Sequence, residues 1–297
     1  MGKILKVQRF CTDDGEGIRT TVFLKGCPLR CLWCHNPESQ STMPQLAYDK
    51  AKCVGCGRCA ETCETRSHIF EEEHKFLREN CIACGKCISP ACDALELFGC
   101  EMSAEEIIKT ALRDKDFYEA SGGGVTLSGG EPLSQSDFTL EILREAKAQG
   151  INTAVETCGY GDREALKKIA PYVDTFLYDI KETDGERHKK FTGVSNRLIL
   201  ENLKYLSEQG KRIILRCPII PECNDRDDHF EAIGRLADLD GVCRVEVEPY
   251  HSFGEGKYAR LGLSYFQNGK KPPTDEQTEE YVRKISASCE KPVIKLR

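Results

Sequence analysis

The chain is 297 residues long, with 40% apolar and 30% charged residues and a formal net charge of -6. That balance reads as an ordinary soluble globular protein. It argues against a nucleic-acid binder, which carries a basic face, and no apolar run approaches the roughly 20 residues of a membrane span.

The opening MGKILKVQRF is too short and polar for a secretory leader, and Lys6 stands where a myristoylated chain has Ser or Thr. A first strand is expected at TTVFLKG (20–26). CPLRCLWCHNPE follows at once and spaces Cys27, Cys31 and Cys34 by three and two residues. Structural zinc and structural four-iron clusters take four protein ligands. Three thiolates hold three corners of a four-iron cluster and leave one iron open to an outside ligand, such as the amine and carboxylate of an amino acid. Trp33 reads equally as a water-excluding neighbour of that cluster or as a core aromatic.

The chain has eighteen cysteines, grouped at metal-ligand spacings in a chain neither small nor leader-bearing. A reducing cytoplasm is the expectation. CVGCGRCAETC and CIACGKCISPAC, between Cys53 and Gly99, form an internal repeat whose halves are too short to bury a core. In the two-cluster ferredoxin pattern the fourth cysteine of each run serves the other cluster. That assigns Cys53, Cys56, Cys59 and Cys92 to one [4Fe-4S] cluster, and Cys81, Cys84, Cys87 and Cys63 to a second. Four residues separate Cys87 from Cys92 where the pattern has three, which leaves Cys100 as a competitor. Zinc in the CxxC pairs is the alternative. Cys11, Cys100, Cys158, Cys217, Cys223, Cys243 and Cys289 read mostly as small buried hydrophobes, with Cys158 lying close to the proposed site.

Further on, Ser103 and Glu106 form a capping box for a helix at 104–116. Strands are expected at GVTLSG (124–129), NTAVETCG (152–159), TFLYDIK (175–181), RIILRCPII (212–220) and RVEVEPY (244–250). Helices are expected at 136–149, 163–170, 196–209 and 226–238, with Gly150 and Gly210 ending two of them. Strand–helix repetition argues an α/β fold with parallel strands. Six strands are too few for an eight-stranded barrel, so an open, partial one is expected. Gly129-Gly130-Glu131, Glu156, Asp179, Lys181, Arg216 and His251 all fall at or just beyond strand carboxyl ends, where such folds place function. Two glycines admit a close ligand; their carbonyls or the Glu131 carboxylate would accept from an amine. Asp179 with Lys181 reads alternatively as a surface pair, and Arg216 as a structural ion pair. His68, His74, His188 and His229 belong to no motif and read as structural or exposed.

CPLRCLWC resembles the signature of the radical S-adenosylmethionine (SAM) enzymes. DGEGIRTTVFLKGCPLRCLWCHNPES, SGGGVTLSGGEPL, YDIKETDGERHKKFTGV and EPYHSFGEGKY are similar to the activating enzymes of glycyl radical enzymes, over almost the whole chain. The resemblance implies a partial (β/α)6 TIM-type barrel from 1–48 and 100–297. It also implies a ferredoxin-like α+β insert at 49–99, which short members lack. It implies a catalytic [4Fe-4S] cluster on Cys27, Cys31 and Cys34, three clusters in all, and SAM as cofactor. Gly129, Gly130 and Glu131 would receive the methionyl amine. Asp179 and Lys181 would meet the methionine end with Arg216 nearby, and His251 the ribose or adenosine. Glu156 would lie near the cofactor carboxylate and a bound monovalent cation. Asp14 would receive the C-terminal glycine loop of a partner glycyl radical enzyme. The usual motif is DGPGIR; here Glu16 replaces the proline. A flavodoxin or ferredoxin-type reductant and a monomeric chain are further expectations, and no catalytic acid–base residue is required. The alternatives are a radical SAM enzyme acting on a small molecule and an electron-transfer iron–sulfur protein.

Overall fold

The computed structural model describes residues 1–266 and 270–296. Strand β1 (Gly2–Cys11) turns back antiparallel into β2 (Arg19–Leu24). The cysteine-rich stretch follows, with β3 (Gln45–Tyr48), α1 (Arg58–Thr62), β4 (His68–Phe70), β5 (His74–Phe76) and β6 (Leu95–Phe98). Then come β7 (Cys100–Met102), α2 (Ala104–Ala111), α3 (Lys115–Ser121) and β8 (Gly124–Gly129). Strand and helix alternate through α4 (Ser136–Ala148), β9 (Asn152–Thr157), α5 (Arg163–Ile169) and β10 (Thr175–Asp179). They continue through α6 (Gly185–Thr192), α7 (Arg197–Glu208), β11 (Ile213–Ile219), α8 (Asp227–Ala237) and β12 (Val242–Pro249). After these lie α9 (Glu255–Leu261), α10 (Asp275–Ser286) and β13 (Val293–Lys295).

One sheet runs in the order β13-β12-β11-β10-β9-β8-β2-β1-β7. From β2 to β13 every neighbour is parallel, as crossover helices require. The six expected strands are β2 and β8 to β12. The sheet is larger than expected, because β13 extends it on one side and the antiparallel pair β1 and β7 on the other. Its ends stay unpaired among the described residues, so this is an open, barrel-like α/β core. Helices cover it with apolar faces: Ile107 and Ile108 from α2, Ile142 and Leu143 from α4, Leu203 and Leu206 from α7, Phe230 and Ile233 from α8. No helix among the described residues is long and apolar enough to cross a membrane.

The capping box is present, with Ser103 Oγ accepting from Glu106 N at 3.1 Å and the Glu106 carboxylate accepting from Ser103 N at 2.8 Å. The helix expected to reach residue 116 breaks at Leu112–Asp114. Asp114 is buried there and accepts from Arg9 Nε (2.8 Å) and Thr20 (3.1 Å), so it turns inward rather than lying on a helix surface.

The cysteine-rich stretch has two small antiparallel ladders. Gln45–Tyr48 pairs with Leu95–Phe98, and His68–Phe70 with His74–Phe76. It is clasped to α9 by Arg78, which donates to the carbonyls of Leu46 (3.0 Å) and Arg260 (2.6 Å), and by an Arg260–Glu96 ion pair at 2.6 Å.

Candidate active site at the strand carboxyl ends

The loop that leaves β2 carries Cys27, Cys31 and Cys34. Its backbone is fixed by the end of α6: Arg30 N donates to Thr192 O (2.7 Å) and Leu32 N to Phe191 O (3.0 Å). Cys27 and Cys34 flank buried Cys31, Leu29 and Cys158 in one small apolar cluster. Burial pushes the Cys31 thiol up, Lys181 works against it, and Cys34 and Cys27 add to the rise, so the three sulfurs are electrostatic neighbours. Trp33 takes the core role. It packs on Phe191 (5.6 Å between rings) in a buried group with Ile220, Cys223 and Tyr250.

Gly129 and Gly130 are stitched to this loop. Gly130 N donates to Leu24 O and Glu131 N to Gly26 O, both at 2.8 Å. Gly129 has φ +103°, and a Cβ on Gly130 would stand 2.3 Å from Gly26 O. No side chain fits at either position. The Glu131 carboxylate is already bonded within the chain. It is fully buried and accepts from Leu133 N (3.0 Å), Thr157 Oγ1 (2.6 Å) and Cys158 N (2.8 Å). A buried carboxylate needs internal donors, and these three hold the end of β9 against the turn after β8.

Asp179, Arg216 and Glu246 are register partners on β10, β11 and β12. Arg216 is 3% exposed. It donates to Glu156 Oε1 (2.8 Å), to Glu246 Oε2 (3.1 Å) and to Asp13 O, and lies 3.6 Å from Glu248 Oε1. It is therefore a buried ion-pair hub, and Ser128 Oγ donates to the other Glu156 oxygen. Lys181 and Asp179 form a 2.9 Å pair, mostly buried rather than on the surface. Burial opposes the Lys181 charge, but Asp179 and Cys31 outweigh it and hold the ammonium charged. Among the described residues Glu248 approaches Arg216 at 3.6 Å, and burial pushes its carboxyl up to about 8.

Asp14 lies at the amino end of β2, with Oδ2 accepting from Thr21 Oγ1 at 2.6 Å. Burial and the neighbouring Glu156 raise its carboxyl, which places it in the same electrostatic group. Glu16 ties the Asp14 loop to the far side of the sheet through Arg212 (2.5 Å) and Arg244 (2.8 Å). The residue that departs from DGPGIR thus ties its turn through ion pairs, where a proline would act through φ.

Beyond β12, His251 stacks on His35 (3.8 Å, 23°), whose Nε2 meets His251 O at 3.1 Å. His251 Nδ1 is buried without a hydrogen-bond partner among the described residues. The other ring beside it, Phe253, is 83% exposed at 4.5 Å.

The cysteine-rich stretch holds two cavities. One is lined by Cys53, Cys56, Cys59, Cys87 and Cys92, with His74. The other is lined by Cys63, Cys81, Cys84 and Cys87, with His68. Cys100 lies on β7 opposite Ile4, away from both. Sequence reasoning missed the two histidines: Cys59, His68 and His74 bring ligand-type atoms within 4.8 Å of one another. The only signal was the repeated His-x-Phe in HIF and HKF. His188 and His229 are buried, as a structural reading expects.

A family model described as the radical SAM superfamily matches residues 21–233. The chain belongs to the radical SAM superfamily. It is 40% identical to the choline trimethylamine-lyase activating enzyme of Oleidesulfovibrio alaskensis, over 95% of this chain and 94% of that one. It is also 40% identical to the trans-4-hydroxy-L-proline dehydratase activating enzyme of Clostridioides difficile, over 96% of each. A radical SAM methyltransferase from Sphaerobacter thermophilus shares the fold, with TM-score 0.53 and 15% identity over 98% of this chain and 76% of that one. Within the radical SAM superfamily the chain is closely related to the activating enzymes of glycyl radical enzymes and is a radical SAM oxidoreductase of that kind.

Proposed function

We infer that this chain cleaves SAM and uses the resulting radical to activate a partner glycyl radical enzyme. The observation that carries the reading is the convergence at the mouth of the sheet. Three cysteines on a braced loop lie against two glycines with no room for a side chain, beside a buried Lys181–Asp179 pair. When bound on Cys27, Cys31 and Cys34, a reduced [4Fe-4S] cluster supplies one electron to SAM, giving methionine and a 5'-deoxyadenosyl radical. The chain's own residues position the cofactor. The carbonyls of Gly129 and Gly130 receive the amine. Lys181 meets the carboxylate, with Glu156 and a monovalent cation nearby and Arg216 fixing Glu156. His251 Nδ1 turns to the ribose or adenosine. The radical then takes hydrogen from the α-carbon of a glycine in the partner's C-terminal loop, which Asp14 helps receive.

On the same reading the core is a partial (β/α)6 barrel of 1–48 and 100–297, and 49–99 is a ferredoxin-like domain. Cys53, Cys56, Cys59 and Cys92 hold one further [4Fe-4S] cluster, and Cys63, Cys81, Cys84 and Cys87 another. The two cavities fit these thiolate sets, with Cys87 on the wall they share. A flavodoxin or ferredoxin-type protein is the reductant, and the chain works as a cytoplasmic monomer.

The test is paired: 5'-deoxyadenosine formed without partner, and glycyl-radical spins formed with the glycyl radical enzyme encoded beside this chain. Asp14→Ala is expected to lower radical yield about tenfold and partner-free cleavage about twofold or less. Equal losses would put Asp14 in the cofactor site. Cleavage by the unaltered chain with no protein radical would favour a small-molecule substrate.

A further inference from the structure

Two buried imidazoles stand between the two cysteine-lined cavities. His74 lines the first and His68 the second. The register of β4 with β5 explains why both face inward. His68 pairs with Phe76 and Phe70 with His74, so alternate residues put all four rings on one face. His74 lies flat on Phe70 (4.4 Å, 8°) and His68 on Phe76 (4.9 Å, 15°), while Tyr48 closes on His74 from the side at 4.5 Å. Packed on several sides, these rings have little freedom to turn.

Their contacts form a chain. His68 Nδ1 is 2.9 Å from His74 Nε2, and His74 Nδ1 is 3.3 Å from Cys53 Sγ. A cysteine that ligates iron is a thiolate and only accepts. Two ring nitrogens 2.9 Å apart share a single proton, so one of His68 Nδ1 and His74 Nε2 donates and the other accepts. If His74 donates to Cys53, its proton is on Nδ1 and its Nε2 is bare. That Nε2 then accepts from His68 Nδ1–H. One assignment satisfies both of these contacts, in the manner of partners that orient a metal-site histidine; the longer approach of Cys59 Sγ to His74 Nε2, at 3.8 Å, is left without a proton.

We propose that His74 donates a hydrogen bond to the Cys53 sulfur of the first insert cluster and raises its reduction potential, with His68 acting as the positioning residue that fixes the tautomer. The inference rests on the three-cluster reading above. A donor to a ligating sulfur stabilises the more negative, reduced cluster. The step it biases is a one-electron reduction by a low-potential donor such as dithionite. No bond is made or broken, and the proton stays on Nδ1.

The experiment uses the full chain, reconstituted without oxygen, as wild type, His74→Phe, His74→Asn and His68→Phe. Metal and sulfide are counted first, and each insert signal is then titrated by electron paramagnetic resonance against potential. We expect all four proteins to keep about twelve irons. In His74→Phe one insert signal should become harder to reduce by about tenfold in the reduced-to-oxidised ratio, which is about 59 mV for one electron. His74→Asn keeps an N–H near the Nδ1 position and should stay close to wild type. His68→Phe should move the same way as His74→Phe, by less. Nitrogen coupling from isotope-labelled histidine should appear on that signal in the wild type and vanish in His74→Phe. Intact clusters with unshifted potentials would overturn the proposal. Loss of four irons in both His74 variants would also overturn it, by making His74 a ligand or a structural necessity. Zinc in the wild-type insert would instead sink the three-cluster reading, and metal analysis alone tells that failure apart.

Discussion

The sheet and the cysteine-rich insert solve the same problem, holding charged ligands away from water, in opposite ways. In the sheet, one apolar cluster running from Ile4 to Ile285 is packed without help, and the charges at its mouth sit inside a finished frame. In the insert the buried apolar group is Leu46, Cys59 and Leu95, and one of the three is itself a proposed ligand. A segment of this size cannot offset its conformational entropy with that little burial. On the three-cluster reading proposed above, the frame precedes the ligand in one region, and in the other the ligand supplies the frame.

The sharpest way to break this contrast is Cys31→Ala. It should abolish SAM cleavage while about eight irons stay in the insert, read by iron analysis and electron paramagnetic resonance with and without SAM. Cleavage at the wild-type rate would refute the three-cysteine site. Stripping iron with a chelator comes next. Proteolysis between Asp49 and Gly99 should speed up by at least about tenfold, while the melting temperature of the remainder moves by less than about 3 °C. Equal sensitivity of both regions would erase the distinction. Arg216→Met tests the frame itself. It leaves Glu156, Glu246 and Glu248 without their common partner and should cost about 3–5 kcal/mol in denaturant unfolding. A neutral outcome would mean that water or cations already screen them.

The smallest effect concerns Glu248, whose carboxyl burial raises from 4.5 to about 8. A carboxyl raised by folding contributes stability while protonated. That contribution is complete below the unfolded value and fades as pH climbs through the folded one. Glu248→Gln should therefore gain stability relative to wild type between those two pH values, followed by thermal melts across the window. A constant difference would show that Arg216 already compensates the charge.

The parallel strands were legible because each is a short β-branched or apolar run whose burial on both faces leaves no other reading, as in IILRCPI of β11. The cysteine groups were legible because ligand spacing is local. What escaped is what depends on distant partners. GERHKKFT carries too little apolar signal to announce α6, yet its last residues brace the loop that carries Cys27, Cys31 and Cys34. Nothing near Glu131 in sequence shows that its donors are Thr157 and Cys158. The ion pairs of Glu16 were not readable because Arg212 and Arg244 lie 196 and 228 residues away. Arg216 was readable as special, since no guanidinium sits in such a strand unpaired, but not which carboxylates answer it.

The clasp between the insert and α9 has a consequence for how freely this protein can vary. Arg78 grips two carbonyl oxygens, those of Leu46 and Arg260. Every residue carries a carbonyl, so this grip specifies nothing about the side chains at either gripped position. Drift at positions 46 and 260 leaves those two bonds available, whereas position 78 has no such latitude. Lysine lacks the planar fork that reaches two acceptors at once. Only the Arg260–Glu96 ion pair asks for a chosen side chain on both sides of the seam, so an insert exchanged between relatives brings the Arg78 half of its attachment with it and must find the other half in place.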